Sequence, residues 1–212
     1  MVTIILVRHG YSKGNKEMRF SGQMDIPLDE IGRVQAVSTS RYIYENYKVD
    51  CIYSSDLSRA YETLEPLGKL LNMPVNKCSD LREVDVGLWA GKLIDAVKNE
   101  FPENFECYRV TPGLCKFDGG ESYGECFERA KKAIKKIAEA NEGKTVAIAT
   151  HGGVIRTLLA YWTNVSMAEI QKVPHVQNCS ITVVEYNDGR VKLIEKGYKE
   201  HLTDKTSKEG VK

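Results

Sequence analysis

The sequence has almost no net charge and no long apolar run, and both absences exclude classes of function. Its 30 Lys and Arg residues are nearly balanced by 29 Asp and Glu residues, which leaves a formal charge of +1. Nucleic acids and anionic membranes attract proteins through an excess of positive charge, so neither is an expected partner. No segment approaches the ~20 consecutive apolar residues of a membrane span. Any anion site must therefore be built locally.

The sequence also lacks a recognisable export signal. The apolar run from Met1 to Val7 has no basic region before it and is interrupted by Arg8 and His9, so we interpret it as a buried strand rather than a signal peptide. We therefore expect a cytoplasmic protein. No cysteines have Cys-x-x-Cys spacing, which favours reduced, mostly buried thiols over disulfides or a zinc site. The six are Cys51, Cys78, Cys107, Cys115, Cys126 and Cys179.

The length and composition favour one globular domain. At roughly 150 residues per domain, a chain of 212 residues is expected to hold a single sizeable domain. With only 6 prolines and 17 glycines, its composition is unlike that of disordered or collagen-like chains. We expect the domain to span residues 1–197 and a polar, lysine-rich tail to occupy residues 198–212.

Six segments have the length and composition of strands. Two are apolar runs typical of strands buried on both faces, and two are weaker versions of the same pattern. Two more alternate in polarity around an Asn-Asp-Gly turn, which predicts a hairpin. In chain order the segments are Thr3–Val7, Cys51–Tyr53, Pro74–Lys77, Thr145–Ala149, Ser180–Tyr186 and Arg190–Glu195.

Helix-like segments lie between these strands. An aspartate is predicted to cap each of the helices over Asp29–Asn46 and Asp56–Leu71. The apolar spacing over Glu121–Glu142 gives the strongest helix pattern, and another helix is predicted after Gly152-Gly153. Strands that alternate with helices predict an α/β fold: a three-layer α/β/α sandwich with a mainly parallel sheet, helices on both faces and an antiparallel C-terminal edge hairpin.

Two of the four histidines directly follow predicted strands, and each precedes a glycine. These pairs are His9-Gly10 and His151-Gly152. Ligands of parallel sheets collect at the carboxyl ends of the strands. We therefore expect the two histidines to share one site.

The neighbouring residues indicate what that site binds. Arg8 offers a planar fork of donors that suits phosphate oxygens, while Ser12 and Asn15 add neutral donors. Gly10 is expected to permit close approach of the backbone. Arg59, on the first turn of a predicted helix, supplies a second guanidinium at the same rim. The pattern predicts a phosphate pocket.

Chemistry on a phosphomonoester needs a nucleophile, stabilisation of charge on the phosphoryl oxygens, and a proton for the leaving alkoxide. Histidine can be the nucleophile through a phosphohistidine intermediate. A carboxylic acid is the expected proton donor, and the segment 81–89 offers both Glu83 and Asp85. These residues alone do not decide between the two.

Six motifs, taken in order, resemble the histidine phosphatase superfamily in its phosphoglycerate mutase-like branch. They extend over nearly the whole chain, whereas the Arg-His-Gly string alone would be a weak signal. The motifs are LVRHGYSKGN at 6–15, GQMDIPLDEIGRVQA at 22–36, SSDLSRAYET at 54–63, LREVDVGLWAG at 81–91, FDGGES at 117–122 and ATHGGVIR at 149–156.

The resemblance implies a role for each candidate. His9 is the phosphorylated nucleophile, and Glu83 rather than Asp85 protonates the leaving oxygen and then activates water. His151 is expected to be cationic when phosphate is bound. Because two arginines and a histidine supply the positive charge, no metal and no cofactor are expected. The residues expected to hold the phosphoryl group are Arg8, Ser12, Asn15, Arg59, His151 and the backbone N–H of Gly152.

The resemblance also implies a lid insertion at about 92–118 that lies over the site. Its aromatic residues Phe101, Phe105 and Tyr108 either line a substrate pocket or pack the lid onto the core. Further candidates for that pocket are Tyr11, Gly22 and Gln23. Many relatives have Glu or Gln in place of Tyr11.

Three hypotheses stay open. The favoured one is a metal-independent phosphatase for a small phosphorylated metabolite, because GGES at 119–122 resembles α-ribazole and broad-specificity phosphatases. The second is a cofactor-dependent phosphoglycerate mutase, disfavoured because Val84 and Ile94 stand where such mutases have Arg and Lys. The third is a non-catalytic phosphate-binding module. The expected partner is a small phosphomonoester, and the protein is either a monomer or a homodimer.

Overall fold

The computed structural model describes residues 1–202 and contains a mixed sheet of six strands in the order β3-β2-β4-β1-β5-β6. The first four of these are mutually parallel, and β5 and β6 form an antiparallel edge hairpin. This confirms the predicted fold class. The strands are β1 Val2–Arg8, β2 Cys51–Ser54, β3 Val75–Lys77, β4 Thr145–Thr150, β5 Ile181–Asn187 and β6 Arg190–Tyr198.

Seven α-helices connect and cover these strands within the described residues. They are α1 Lys13–Lys16, α2 Glu30–Asn46, α3 Ser58–Leu71, α4 Ile94–Glu100, α5 Pro102–Val110, α6 Tyr123–Ala140 and α7 Gly152–Trp162. Three-residue 3-10 turns cover Ser79–Leu81, Gly87–Trp89 and Pro112–Leu114, and a longer one covers Met167–Lys172. In residues 1–202, no helix combines the length and the apolarity needed to cross a membrane.

The central strand β1 explains the three layers. Ile4 and Leu6 belong to the apolar cluster that includes α6 and α7, whereas Ile5 and Val7 belong to the cluster that includes α2 and α3. Successive side chains of a strand point to opposite faces, so a strand with apolar residues at every position holds a helical layer on each side.

Local signals set most helix starts. Asp29 caps α2 by accepting from the Gly32 N–H at 2.9 Å, as predicted. Ser122 and Glu125 form a capping box at the start of α6, which satisfies two backbone donors that the helix cannot satisfy itself.

The prediction that Asp56 caps α3 is wrong. The cap residue is Leu57, which has no side-chain capping bond, and Asp56 instead receives two hydrogen bonds from Arg82, at 2.7 and 2.5 Å. The Ser58 N–H at the helix start is satisfied by Asp25 from another loop, at 2.7 Å. The capping carboxylate therefore comes from a distant part of the chain.

The structure also differs from the sequence expectation at the C-terminus. Tyr198 belongs to β6, the His201 ring contacts Thr39 at 2.9 Å, and Leu202 is buried, whereas a solvated tail was expected from residue 198. The rest of that predicted tail, residues 203–212, lies outside the described residues. All six cysteines are free thiols, three of them buried and three partly exposed.

Candidate active site

The register of β1 and β4 brings the two histidines together. Arg8 lies opposite Thr150 at the carboxyl ends of these parallel strands, so the residues that follow, His9 and His151, leave the sheet side by side. Their ring centroids are 5.1 Å apart, and both side chains are buried. The structure thus brings together the pair that the sequence predicted to share a site.

One hydrogen bond sets the protonation of His9. Its Nδ1 lies 2.8 Å from the carbonyl oxygen of Gly10, which can only accept, so Nδ1 carries the proton and Nε2 keeps its lone pair. Burial, then the guanidinium groups of Arg59 and Arg8, lower the pKa of His9 well below its ordinary value. Nε2 is therefore available as a nucleophile at neutral pH.

Residues from other parts of the chain hold the loop that carries His9 in place. Asn178 donates its amide to the His9 carbonyl at 2.8 Å. A β-carbon on Gly10 would lie 2.7 Å from the Gly32 carbonyl oxygen. Close approach at Gly10 is therefore to the first turn of α2, not to a ligand as the sequence suggested.

Arg59 is buried and Arg8 is partly buried, and both are held by carbonyl groups rather than by acids. Arg8 donates to Val176 O at 2.6 Å, and Arg59 donates to Met24 O and Gly22 O, both at 2.7 Å. Burial lowers the pKa of Arg59 to about 10 and lowers that of Arg8, so both stay charged at neutral pH. Their Nε atoms are enclosed and have no hydrogen-bond partner among the described residues.

His151 presents a third enclosed donor. Its Nε2 lies 2.9 Å from Ser55 Oγ, while its buried Nδ1 has no partner in residues 1–202. If the Ser55 hydroxyl donates to Nε2, Nδ1 carries the ring proton and can donate a hydrogen bond to an anion. Burial, then the charge of Arg59 and the ring of His9, lower the pKa of His151 well below normal. The cationic form expected with bound phosphate stays a prediction.

The short helix α1 presents Asn15 to the same cavity. Ser12 caps this helix, and its hydroxyl lies 2.9 Å from Asn15 Oδ1. Because Asn15 Oδ1 also accepts from the Ser12 N–H, the Asn15 amide group is left as the donor. Ser12 lines the cavity, but its hydroxyl orients Asn15 rather than serving as a separate donor.

The two candidate acids have different surroundings. Glu83 lines the cavity, and its carboxylate accepts from the Gly153 and Val84 N–H groups, each at 3.0 Å. A β-carbon at Gly153 would lie 2.5 Å from Glu83 Oε1, so glycine is needed at this contact. Asp85 instead accepts from Gly87 N–H at 3.0 Å within its own turn. Geometry therefore favours Glu83.

Arg129 of α6 clamps the backbone around Glu83. It donates to the carbonyls of Asp80, Arg82 and Glu83 at 2.9, 2.6 and 2.8 Å. Glu121 holds the same guanidinium through bonds of 3.0 and 2.5 Å. The sequence reasoning missed this pair, because nothing in the spacing of residues 121 and 129 indicates a contact with residues 80–83.

The cavity over the histidines has a volume of about 520 Å³, and part of its wall comes from the segment 92–118, where the sequence predicted a lid. Its wall includes Gly22, Phe105 and Tyr108, together with Gly152 at the start of α7. The other predicted substrate residues lie elsewhere: Tyr11 donates its N–H to Gln35, Gln23 donates to the Glu83 carbonyl, and Phe101 packs near Trp89.

Several wall residues were not predicted. They are Met18, Arg19, Phe20, Arg109, Tyr123, Arg156, Gln171 and His175. A helical-periodicity argument could have found Arg156, which lies one turn after Gly152 in α7. Within residues 1–202, no group of three His, Cys, Asp or Glu side chains is arranged to hold a metal ion. Independence from metal stays a prediction.

A comparison with models of protein families decides to which family the chain belongs. The model for the histidine phosphatase superfamily (branch 1) matches residues 4–198. The chain belongs to this superfamily. As a histidine phosphatase it is similar over 202 residues, at 29% identity, to phosphoserine phosphatase 1 of Hydrogenobacter thermophilus, covering 95% of each chain.

Two further relatives agree with this placement, and a third protein shares the fold. The metal-independent phosphoserine phosphatase of Arabidopsis thaliana is 32% identical over 187 residues, which cover 87% of this chain and 76% of that one. The solved structure of YhfR from Bacillus stearothermophilus has a TM-score of 0.90 at 32% identity and covers 95% of this chain and 99% of that chain. The α-ribazole phosphatase of Shigella flexneri shares the fold, with a TM-score of 0.80 at 21% identity, covering 91% of this chain and 94% of that chain. The chain is a phosphatase of this superfamily.

Proposed function

We propose that this histidine phosphatase hydrolyses a small phosphomonoester without a metal ion, through a phosphohistidine on His9. The observation that carries the proposal is the hydrogen bond from His9 Nδ1 to the Gly10 carbonyl. It leaves Nε2 unprotonated in a cavity that two arginines and a carboxylate also line. The names of the relatives, two of them phosphoserine phosphatases, support the same class of reaction.

In the first step, the lone pair of His9 Nε2 forms a bond to phosphorus, and the bond from phosphorus to the ester oxygen breaks. Arg8, Arg59 and His151 offer enclosed donors to the non-bridging oxygens, whose charge they stabilise in a site from which most water is excluded. The positive charge that a metal would otherwise supply comes from the two guanidinium groups.

Glu83 supplies the proton that the leaving oxygen requires. A phosphate dianion bound beside this carboxylate repels its charge and so favours the protonated form. Transfer of the proton releases a neutral alcohol and leaves the carboxylate. Backbone donors from Gly153 and Val84 then stabilise the charged product state.

The second step returns the protein to its starting state. The Glu83 carboxylate takes a proton from water, the water oxygen bonds to phosphorus, and the bond from phosphorus to Nε2 breaks. Inorganic phosphate leaves, and Glu83 holds the proton for the next cycle. Atoms and charges balance with water as the only co-reactant.

The proposal is tested by phosphate release in the presence of EDTA. The panel comprises p-nitrophenyl phosphate, 3-phosphoglycerate, sugar phosphates and nucleoside monophosphates, with wild type compared against His9→Ala. Release that survives EDTA and disappears in His9→Ala is the expected result. Loss of release with EDTA would contradict metal independence. Conversion of 3-phosphoglycerate only after addition of bisphosphoglycerate would indicate a mutase, and no turnover with retained phosphate binding would indicate a binding module.

A further inference from the structure

Arg156 is a buried cation in the cavity wall to which the proposed mechanism gives no role. It belongs to α7, and its side chain is only 8% exposed. It follows Gly152 by four residues, which places it about 6 Å further along the helix axis and on the same face. Both residues line the cavity, so Arg156 lies about one helical turn further along the cavity wall than the Gly152 N–H expected to hold phosphate.

The contacts of Arg156 leave its charge uncompensated. Its Nε donates to the carbonyl of Val173 and its Nη1 donates to His175 Nε2, both at 2.8 Å. In residues 1–202 no carboxylate pairs with it, and Nη2 has no hydrogen-bond partner. A buried charge without an anionic partner costs stability unless a ligand supplies one.

The other arginines of the cavity wall differ in this respect. Arg19 pairs with Glu17 at 2.6 Å, and Arg109 pairs with Glu106 at 2.6 Å. Both of these are surface pairs. Arg156 is therefore the one wall arginine outside the phosphate pocket, within the described residues, that keeps its full charge available.

His175 adds a neutral donor beside it. A guanidinium can only donate, so Nε2 of His175 is the acceptor of the bond from Arg156 and the ring proton lies on Nδ1. His175 also lines the cavity. Arg156 thus contributes a planar cation to this part of the wall, and its neighbour His175 contributes a neutral N–H.

We infer that Arg156 and His175 form a subsite for a carboxylate on the leaving group of the substrate. The inference rests on the proposed hydrolysis at His9, because it takes the phosphate to lie at Arg8 and Arg59. It assigns the substrate to the short phosphorylated hydroxy or amino acids.

The balance of charge favours one carboxylate over a second phosphate. With Glu83 protonated for its role as acid, and with His151 neutral as its lowered pKa favours, the unpaired cations of the site are Arg8, Arg59 and Arg156, three positive charges in all. A phosphate dianion and one carboxylate carry three negative charges, which match these. A second phosphate dianion would bring four, and a neutral leaving group would leave Arg156 unpaired.

The test uses two pairs of substrates that differ by the carboxylate. Phosphoserine is compared with phosphoethanolamine, and 3-phosphoglycerate with glycerol 3-phosphate. Since a hydrogen bond to a charged group contributes enough to change affinity by about 10- to 100-fold, kcat/KM for the carboxylate member should exceed that of its partner by this factor. In Arg156→Met the ratio of the two kcat/KM values should approach one. In Arg156→Lys the ratio should lie between that of Arg156→Met and that of wild type.

Arg109→Met is the matched control, because this arginine lines the same cavity but is already paired. Its ratio should equal that of wild type. Thermal unfolding checks that each variant is folded, and Arg156→Lys serves if Arg156→Met does not fold. Equal rates within each pair in wild type, or a ratio that survives Arg156→Met and Arg156→Lys, would overturn the inference.

Failure of the proposed function gives a different pattern. If wild type released phosphate neither from these compounds nor from p-nitrophenyl phosphate, the proposed hydrolytic function itself would be wrong. Calorimetric binding of phosphoserine and phosphoethanolamine to His9→Ala then decides the subsite separately. The subsite is supported if His9→Ala binds phosphoserine more tightly than phosphoethanolamine and if adding Arg156→Met removes this difference. Equal binding of the two compounds to His9→Ala would overturn it.

Discussion

His9 differs from an ordinary strand-end histidine in having one nitrogen committed to a carbonyl acceptor. The sequence placed His9 and His151 at one site, because both follow strands that were predicted to be parallel. It could not assign the nucleophilic nitrogen, since that depends on the local turn that brings Gly10 O to within 2.8 Å of Nδ1. The tautomer is therefore a product of the folded backbone.

The sequence was sufficient to predict the site residues that carry a charge and lie close after a strand. Arg8, Arg59 and Glu83 meet in one cavity, as expected. Tyr11, Gln23 and Phe101 do not line it, because the placement of each depends on contacts made across the fold, such as the hydrogen bond that the Gln23 side chain donates to the Glu83 carbonyl.

Glu83→Gln tests the acid at the residue scale. The amide cannot donate a transferable proton, so kcat/KM for alkyl phosphates, which reports the steps up to release of the leaving group, should fall by about 10²-fold or more. The loss of kcat/KM should be much smaller for p-nitrophenyl phosphate, whose leaving group needs little protonation. Steady-state kinetics on both substrates measures this difference. Equal losses on the two would remove Glu83 from the acid role.

The two buried histidines should make stability depend on pH. Their pKa values in the folded protein lie well below normal, whereas in the unfolded chain they titrate near ~6.5. The unfolded state therefore binds more protons, and the free energy of unfolding falls as pH decreases below ~6.5, by up to about 1.4 kcal/mol per pH unit for each proton.

Urea unfolding between about pH 7.5 and 5.5 measures this slope. The double variant His9→Gln with His151→Gln removes both groups and should unfold with a shallower dependence on pH. A slope that is the same in wild type and variant would show that these histidines are not kept neutral by folding.

At the scale of elements, α6 contributes more than core packing. Its apolar face was predictable from helical spacing, and the structure places Ala130, Ala133 and Ile134 in the core. The polar role of Arg129 was not predictable, because the carbonyls it binds lie in a loop more than forty residues earlier, at 2.6 to 2.9 Å. This clamp makes Arg129 a positioning residue for Glu83.

Arg129→Met should therefore resemble a weakened Glu83→Gln. A shift of about 1 Å in a catalytic group can lower a rate by as much as ~10²-fold, so kcat/KM for alkyl phosphates should fall by about tenfold or more, with a smaller loss of kcat/KM for p-nitrophenyl phosphate. A purely structural defect would lower both alike. Arg33→Met, whose guanidinium pairs at the surface with Glu62, is the matched control and should keep wild-type kinetics.

The lid helices α4 and α5 were not predicted as helices. α4 buries only Val97 and α5 buries no residue, so neither has the apolar stripe by which sequence periodicity identifies a helix. Their aromatic residues pack around Trp89, which lies 6.1 Å from the Phe105 ring and 5.7 Å from the Tyr108 ring. Phe105 and Tyr108 also line the cavity, so their packing role is observed and their contact with substrate stays a prediction.

At the scale of the whole molecule, alternation of strands and helices was sufficient to predict three layers. The same alternation does not specify strand order, because it is compatible with many pairings of the strands. The order β3-β2-β4-β1-β5-β6 is what places β1 beside β4 and so joins two strand ends that are more than 140 residues apart in the sequence. A site built at adjacent strand ends explains why the groups proposed to bind phosphate approach from loops or helix starts at the carboxyl ends of the strands.

The most direct test of the account is the chemical identity of the phosphorylated intermediate. Wild type and Glu83→Gln would be mixed with p-nitrophenyl phosphate, quenched in alkali within one turnover, and digested for mass spectrometry that distinguishes the two isomers of phosphohistidine. Because Nδ1 of His9 donates to Gly10 O, the account predicts phosphate on Nε2 of His9, accumulating in Glu83→Gln. Phosphate on Nδ1, on another residue, or on no residue during active turnover would contradict it.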